Sequence, residues 1–245
     1  MQKLFFSVHL IHLDEVNSTN DFLNKTIPIP KDWTIVWTTH QTHGRGAGGN
    51  IWQTERGQNL TFSVALKAKI KTQEFFLLNM MVCNAIHKMI LSHNNDVWIK
   101  WPNDIILMDK KICGILIENR VRKQELATSI IGIGLNVHQT HFNSFSKASS
   151  LKKLLGKEFD LQDLLIDIIG NIQNEYLLFK NHEKGVIQDH YLKHLYKKNE
   201  VSSFQIERKI CNGIIRDLTK DGRLIVTMED QSLRVFSHKE IELHY

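Results

Sequence analysis

Apolar and polar positions alternate over residues 60–66, with Leu60, Phe62, Val64 and Leu66 set against Thr61, Ser63 and Ala65. This period predicts a strand with one buried face. Over residues 72–92 the period changes: Phe75, Leu78, Val82, Ala85, Ile86 and Met89 recur at helical spacing, so one stripe should pack against a sheet. Met80, Met81 and Met89 on that helix read as core filler. Upstream, residues 9–13 and 33–39 predict strands, Ser18 caps a helix carrying Phe22 and Leu23, and Pro28 and Pro30 interrupt it. Downstream, 97–100 and 105–107 read as strands broken at Pro102, 108–111 as a turn that leaves Lys111 at a hairpin end, and 112–118 and 129–133 as further strands. Two helices follow, the first marked by Leu161, Leu164, Leu165, Ile168, Ile169 and Ile172.

Strands and helices are mixed without strict alternation, which predicts an α+β fold with a mixed sheet and packed helices. After residue 196 the pattern shifts to short strands, 213–216 and 224–228, joined through Asp221-Gly222, a hairpin signal. The expected organisation is a catalytic unit over 1–195 and a small β-barrel module over 196–245.

Composition narrows the classes. The 245 residues are 42% hydrophobic and 23% charged, ordinary for a folded globular chain. No apolar run reads as long enough to span a bilayer, and the first residues do not resemble a signal peptide. Cys83, Cys113 and Cys211 are far apart, with no CxxC pair and no ligand spacing to join the histidines, so a reducing cytoplasm and no structural zinc are expected. The net charge of +5 is spread along the chain, and basicity alone decides nothing about partners.

Gly44, Gly46, Gly48 and Gly49, with Arg45 among them, form a loop whose backbone N–H groups can approach a phosphate or carbonyl oxygen. It lacks the closing Lys-Ser/Thr of a P-loop and does not sit in a dinucleotide-binding unit. On glycine content alone, a flexible turn remains an equal reading. The order of motifs adds more: Gln41, the glycine loop, Trp52, then 57–63, then Lys100-Trp101-Pro102-Asn103-Asp104, Lys111 with 114–118, and Gly132-Ile133-Gly134-Leu135-Asn136. This succession resembles the biotin–protein ligases, strongly from Leu13 to Asn136 and weakly through the C-terminal module.

The resemblance implies a catalytic domain of the biotin–lipoate ligase type, similar to class II aminoacyl-tRNA synthetases, followed by an SH3-like barrel. It also implies ATP-dependent activation of biotin to biotinyl-5′-AMP, then transfer to a lysine of a biotin carboxyl carrier domain, with Mg²⁺ assisting. Ser18, Thr19, Asn20 and Gln41 would hydrogen-bond the biotin ring, although a plain helix cap also explains the first three. Gly44, Arg45, Gly46, Ala47, Lys111 and Gly114 would complete the biotin site. Arg45, Gly46, Trp52, Asn103, Lys111 and Asn136 would serve ATP and the adenylate, with Trp101 a second wall. Arg45 and Lys111 would cancel the repulsion between carboxylate and α-phosphate. Asp104 would hold Mg²⁺ or orient the acceptor amine, beside the simpler reading of a turn cap.

Arginines that the family often carries later in the glycine loop are replaced here by Ala47, Gly48 and Asn50, so looser retention of the adenylate is expected. The motif at residue 18 leaves no room for a preceding helix-turn-helix, so no specific nucleic acid and no membrane are expected as partners, with a homodimer left open. A lipoate ligase and a non-catalytic sensor are the rival readings.

Overall fold

The computed structural model describes residues 4–26, 31–68, 70–123, 125–142 and 147–245. Pro28 and Pro30, read as interrupting the first helix, lie outside the described residues, as do residues 1–3. In chain order the elements are β1 (His9–Leu13), α1 (Thr19–Lys25), β2 (Thr34–Thr38), β3 (Gly44–Arg45), β4 (Ile51–Trp52), β5 (Asn59–Leu66), α2 (Phe75–Leu91), β6 (Val97–Lys100), β7 (Asp104–Leu107), β8 (Lys110–Arg122), β9 (Glu125–Asn136), α3 (Leu151–Leu155), α4 (Leu161–Lys180) and α5 (Lys184–Lys193). Five short strands follow: β10 (Val201–Ile206), β11 (Lys209–Leu218), β12 (Leu224–Met228), β13 (Leu233–Phe236) and β14 (Glu242–Leu243).

Seven strands form one mixed sheet in the order β1-β2-β5-β9-β8-β7-β6, in which β1 and β2 are parallel and the other neighbours antiparallel. One face carries Phe62, Val64, Ile131 and Ile133 into the main core, with the buried stripes of α2 and α4. The α+β expectation therefore holds.

The expected half-buried β5 is instead buried at every position. The reason is α1, whose Leu23 packs with Val36, Ala65 and Ile130 in a second, smaller core on the opposite face. Two-sided cover turns an alternating pattern into a fully enclosed strand. Likewise β9 does not stop before Gly134 but runs on to Asn136. Three helices follow it rather than two, the extra one being α3, capped by Ser150, whose side chain accepts from the Lys153 N–H.

The turn between β7 and β8 is the two-residue Met108-Asp109, both at positive φ (48° and 57°), as a tight hairpin requires. It places Lys111 at the head of β8. Contrary to the sequence expectation, residues Thr72–Leu91 are long and apolar enough to cross a membrane by length and mean hydropathy (1.3), yet 67% of that window is buried inside the fold.

The C-terminal strands form an antiparallel sheet in the order β13-β12-β11-β10-β14. It docks through Gly222 (φ 85°), which lies so close to the Phe76 ring that a Cβ would overlap it, and through the Trp101 indole, which donates to Gly222 O at 2.8 Å.

Candidate active site

The floor of the site is a patch of sheet stripped of side chains. Cross-strand register puts Thr61, Gly134 and Gly114 in one row, and Ser63, Gly132 and Leu116 in the next. Partners in register share a face, so three glycines lie together on two adjacent strands, β8 and β9. The neighbours use the space: a Cβ on Gly134 would overlap the Trp52 indole, and one on Gly132 would overlap the Asn20 amide.

Above this floor, Ser18 caps α1 by accepting from the Asp21 N–H. That cap holds Thr19 and Asn20, both buried, against the sheet. Gln41 Oε1 accepts from the Thr19 N–H at 2.9 Å and from its hydroxyl at 3.2 Å. Ser63 Oγ lies 2.6 Å from both Thr19 Oγ1 and Asn20 Oδ1, and its single proton serves one of them at a time. Asn20 Nδ2 donates to Glu118 Oε2 at 2.7 Å. The result is a buried network of amide and hydroxyl groups bordering the cavity. Capping and ligand binding are compatible roles for these residues.

The glycine loop is a hairpin, β3 with β4, closed by Ala47–Gly49. Gly48 and Gly49 take positive φ (73° and 89°), and Gly44 backs directly onto the Trp52 carbonyl with no space for a Cβ. Arg45 donates to Asp21 Oδ1 at 2.5 Å and to Glu118 Oε1 at 3.1 Å. Partial burial works against its charge, but Glu118 and Asp21 more than offset that, so its pKa is raised further. Lys111 Nζ pairs with Asp104 Oδ1 at 2.7 Å.

Ser18, Thr19, Asn20, Gln41, Arg45, Gly46, Ala47, Trp52, Asn103, Asp104, Lys111 and Gly114 all line one cavity of about 130 Å³. Gly44, within β3 of the hairpin, does not line the cavity. Asn136 donates to Ser149 O at 3.0 Å and borders a neighbouring cleft shared with Trp52, Lys111 and Tyr245. Asn103 is engaged at Ile115 O, 2.6 Å away. Trp101 does not wall this cavity: its indole is drawn to the C-terminal sheet, where Gly222 O supplies the partner that a buried N–H needs.

Residues that the sequence left without a role also arrive here. Lys100 Nζ lies 4.6 Å from the Tyr245 ring centroid and Lys147 Nζ 4.5 Å from it. Burial lowers the Lys100 pKa, with Asp104 opposing. His238 lines the cavity, and Lys239 donates to Gly48 O at 3.2 Å, so the C-terminal module touches the glycine loop. Only the Lys100 motif signalled any of this in sequence; Tyr245, His238 and Lys239 come from docking of a distant segment.

Residues 13–136, half of the chain, match the biotin/lipoate A/B protein ligase family. The chain belongs to this family. Among similar proteins, the bifunctional ligase/repressor BirA of Bacillus spizizenii is 30% identical over 183 residues, covering 71% of this chain and 55% of that protein. The chain thus spans about half the length of such relatives. The biotin–[acetyl-CoA-carboxylase] ligase of Mycobacterium tuberculosis is 23% identical, covering 86% of this chain and 80% of its own. In fold, the chain is similar to the biotin protein ligase of Aquifex aeolicus solved with biotin and ATP, at a TM-score of 0.79 and 24% identity, over 96% of this chain and 98% of that one. Within the matched range, the glycine loop, Asn103 and Asp104, and the Gly132-Ile133-Gly134 strand meet at the cavity.

Proposed function

We propose that this chain is a biotin–protein ligase, with residues 1–195 as its catalytic unit and 196–245 as an accessory module. The observation that carries the reading is a single cavity uniting a buried amide and hydroxyl network with two cations, Arg45 and Lys111. That pairing suits a ligand with a polar uncharged ring at one end and a carboxylate at the other.

In the first half-reaction a biotin carboxylate oxygen attacks the α-phosphorus of ATP and pyrophosphate leaves. Both reactants are anions, so the site must supply positive charge where they meet. Arg45 and Lys111 do so by exchanging Asp21, Glu118 and Asp104 for phosphoryl and carboxylate oxygens. In the second, the amine of an acceptor lysine attacks the acyl carbon, AMP departs and the amine loses a proton. No enzyme nucleophile is needed.

Asp104 is the one carboxylate bordering the cavity among the described residues, which fits Mg²⁺ carried by triphosphate oxygens with a single protein ligand. When bound, the ion would neutralise the leaving pyrophosphate. Trp52 lies over Gly134 at the edge of the cavity, and its indole Nε1 is buried with no hydrogen-bond partner. A ligand oxygen, or rotation outward, would satisfy that N–H, whose isolation costs about 1–3 kcal/mol. A cytoplasmic location, a carboxyl carrier domain as acceptor and the absence of specific DNA binding belong to the same proposal.

The test is transfer of labelled biotin to a purified carrier domain with Mg²⁺-ATP, pyrophosphate followed in parallel and lipoate offered as competitor. Transfer of biotin that lipoate does not suppress supports the reading. Preferential lipoate transfer would move the chain to the lipoate branch of its family, and tight biotin binding without pyrophosphate release would make it a sensor.

A further inference from the structure

The sequence shows no ligand spacing between its cysteines and histidines, yet the fold gathers three histidines of α2 and α5 away from the cavity lining. His87 comes from α2, and His190 and His194, four residues apart on one face, from α5 and its C-terminal cap. One ring nitrogen from each lies within 4.8 Å of the other two. The rings adjoin mutually, with His194 centred 4.3 Å from both His87 and His190.

We propose that His87, His190 and His194 form a binding site for a divalent transition-metal ion of the zinc class. Backbone carbonyls set the ring protonation in the required way. Val97 O can only accept, so the His87 contact at 3.2 Å places the proton on Nε2 and leaves Nδ1 as a lone pair. His190 O does the same for His194, holding Nδ1–H at 2.8 Å and freeing Nε2. Carbonyl anchoring of the outer N–H is the usual way that ligand imidazoles are oriented.

The remaining contact, His190 Nε2 to His87 Nδ1, spans 3.1 Å. Two nitrogens on a tetrahedral zinc stand about 3.3 Å apart, given bond lengths of 2.0–2.1 Å, so the ion replaces this hydrogen bond with little movement. His190 then carries its proton on Nδ1, and no net proton is released. Burial, the largest cause in each case, lowers the pKa of His87 to about 4 and of His190 to about 3, which keeps both rings available as neutral ligands at pH 7. Three imidazoles without a carboxylate or thiolate in the group favour zinc, nickel, cobalt or copper over magnesium or calcium. The adjacent Lys88 is neutralised by buried Glu175, 2.5 Å away, so a dication meets less opposition than the lysine alone would give.

The position gives the ion something to grip. His194 O accepts from the Ile99 N–H at 2.8 Å, one residue before the Lys100–Asp104 motif. Between His190 and His194, Tyr191 Oη donates to Pro102 O at 2.8 Å, an oxygen that also accepts from Asn79 of α2 at 2.7 Å. A bound ion would fasten α5 to α2 directly behind the segment that carries Asn103 and Asp104.

The experiment uses the full chain without a histidine tag, stripped with EDTA. Cobalt(II) spectra report coordination, zinc competition against a chromophoric chelator reports affinity, and thermal unfolding with and without zinc reports linkage. Wild type should take up one equivalent with intense visible bands of four- or five-coordinate cobalt. H190Q and H194Q should weaken zinc by more than about a hundredfold and abolish its thermal stabilisation, while exposed H182Q leaves both unchanged. H190Q and H194Q are assayed only if their circular dichroism matches wild type, and either suffices. Equal binding by wild type and the folded variants, or no saturable uptake by wild type, would overturn the site.

Discussion

The floor and the lip of the cavity are built on different physical terms. The floor is rigid: Thr19, Asn20, Gln41 and Ser63 are buried in a closed hydrogen-bond network on a glycine-paved sheet that two cores enclose. The lip is a two-strand hairpin whose Arg45 is 45% exposed and whose tip is held by one lysine from another module. A ring that must be recognised repeatedly benefits from partners fixed in advance, because little entropy is lost on binding. The Arg45 cation of the lip benefits from reversible pairing, because its exposed ion pair with Asp21 is weak and exchanges readily. On this view ring recognition and charge chemistry are separable, and substitutions should sort accordingly.

The sharpest separation comes from the cations. Lys111→Ala should cut pyrophosphate release by about 10² to 10³-fold, the loss typical of a preorganised electrostatic group, while equilibrium binding of biotin without ATP changes by less than about tenfold. Stopped-flow phosphate assays and calorimetry separate the two. Next comes Gly132→Ala, whose methyl would overlap the Asn20 amide; displacement of that side chain should cost about 1–3 kcal/mol in both thermal stability and biotin affinity.

Ser63→Ala removes a donor from the centre of the network without adding bulk, and should weaken biotin by about tenfold with turnover at saturating substrate nearly intact. A KM-against-kcat comparison reads it. The smallest effect belongs to Lys239→Ala, which frees the glycine loop from the C-terminal module; adenylate dissociation should rise by no more than about fivefold, with protease cleavage in 42–51 increased in the absence of ligand. If Lys239→Ala matched Lys111→Ala in severity, the lip would be part of the rigid scaffold and the distinction would fail.

Much of this arrangement is legible in sequence where local physics decides. The Ser18 cap, the Met108-Asp109 hairpin and the α4 stripe each follow from residue type and period. The pattern ends β9 at residue 133, but the strand runs on through Gly134 to Asn136, although glycine ordinarily weakens a strand. Here it remains in register since Asn20 and Trp52 take the space that side chains would fill. Trp101 lines an adjoining cleft that shares Ala47, Asn103, Asp104 and His238 with the cavity, and the sequence could not show its indole's partner, because Gly222 O lies 121 residues away. The histidine triad shows the same limit, since His190 and His194 are visible as a helical pair but His87 joins them only through packing of α2 against α5.

The most direct measurement compares labelled biotin transfer and ATP-free biotin affinity in wild type, Lys111→Ala and Ser63→Ala side by side. The account predicts that Lys111→Ala loses transfer by about 10² to 10³-fold with affinity falling by less than about tenfold, whereas Ser63→Ala loses about tenfold in affinity and keeps transfer at saturation. Equal loss of both quantities in both variants would contradict it.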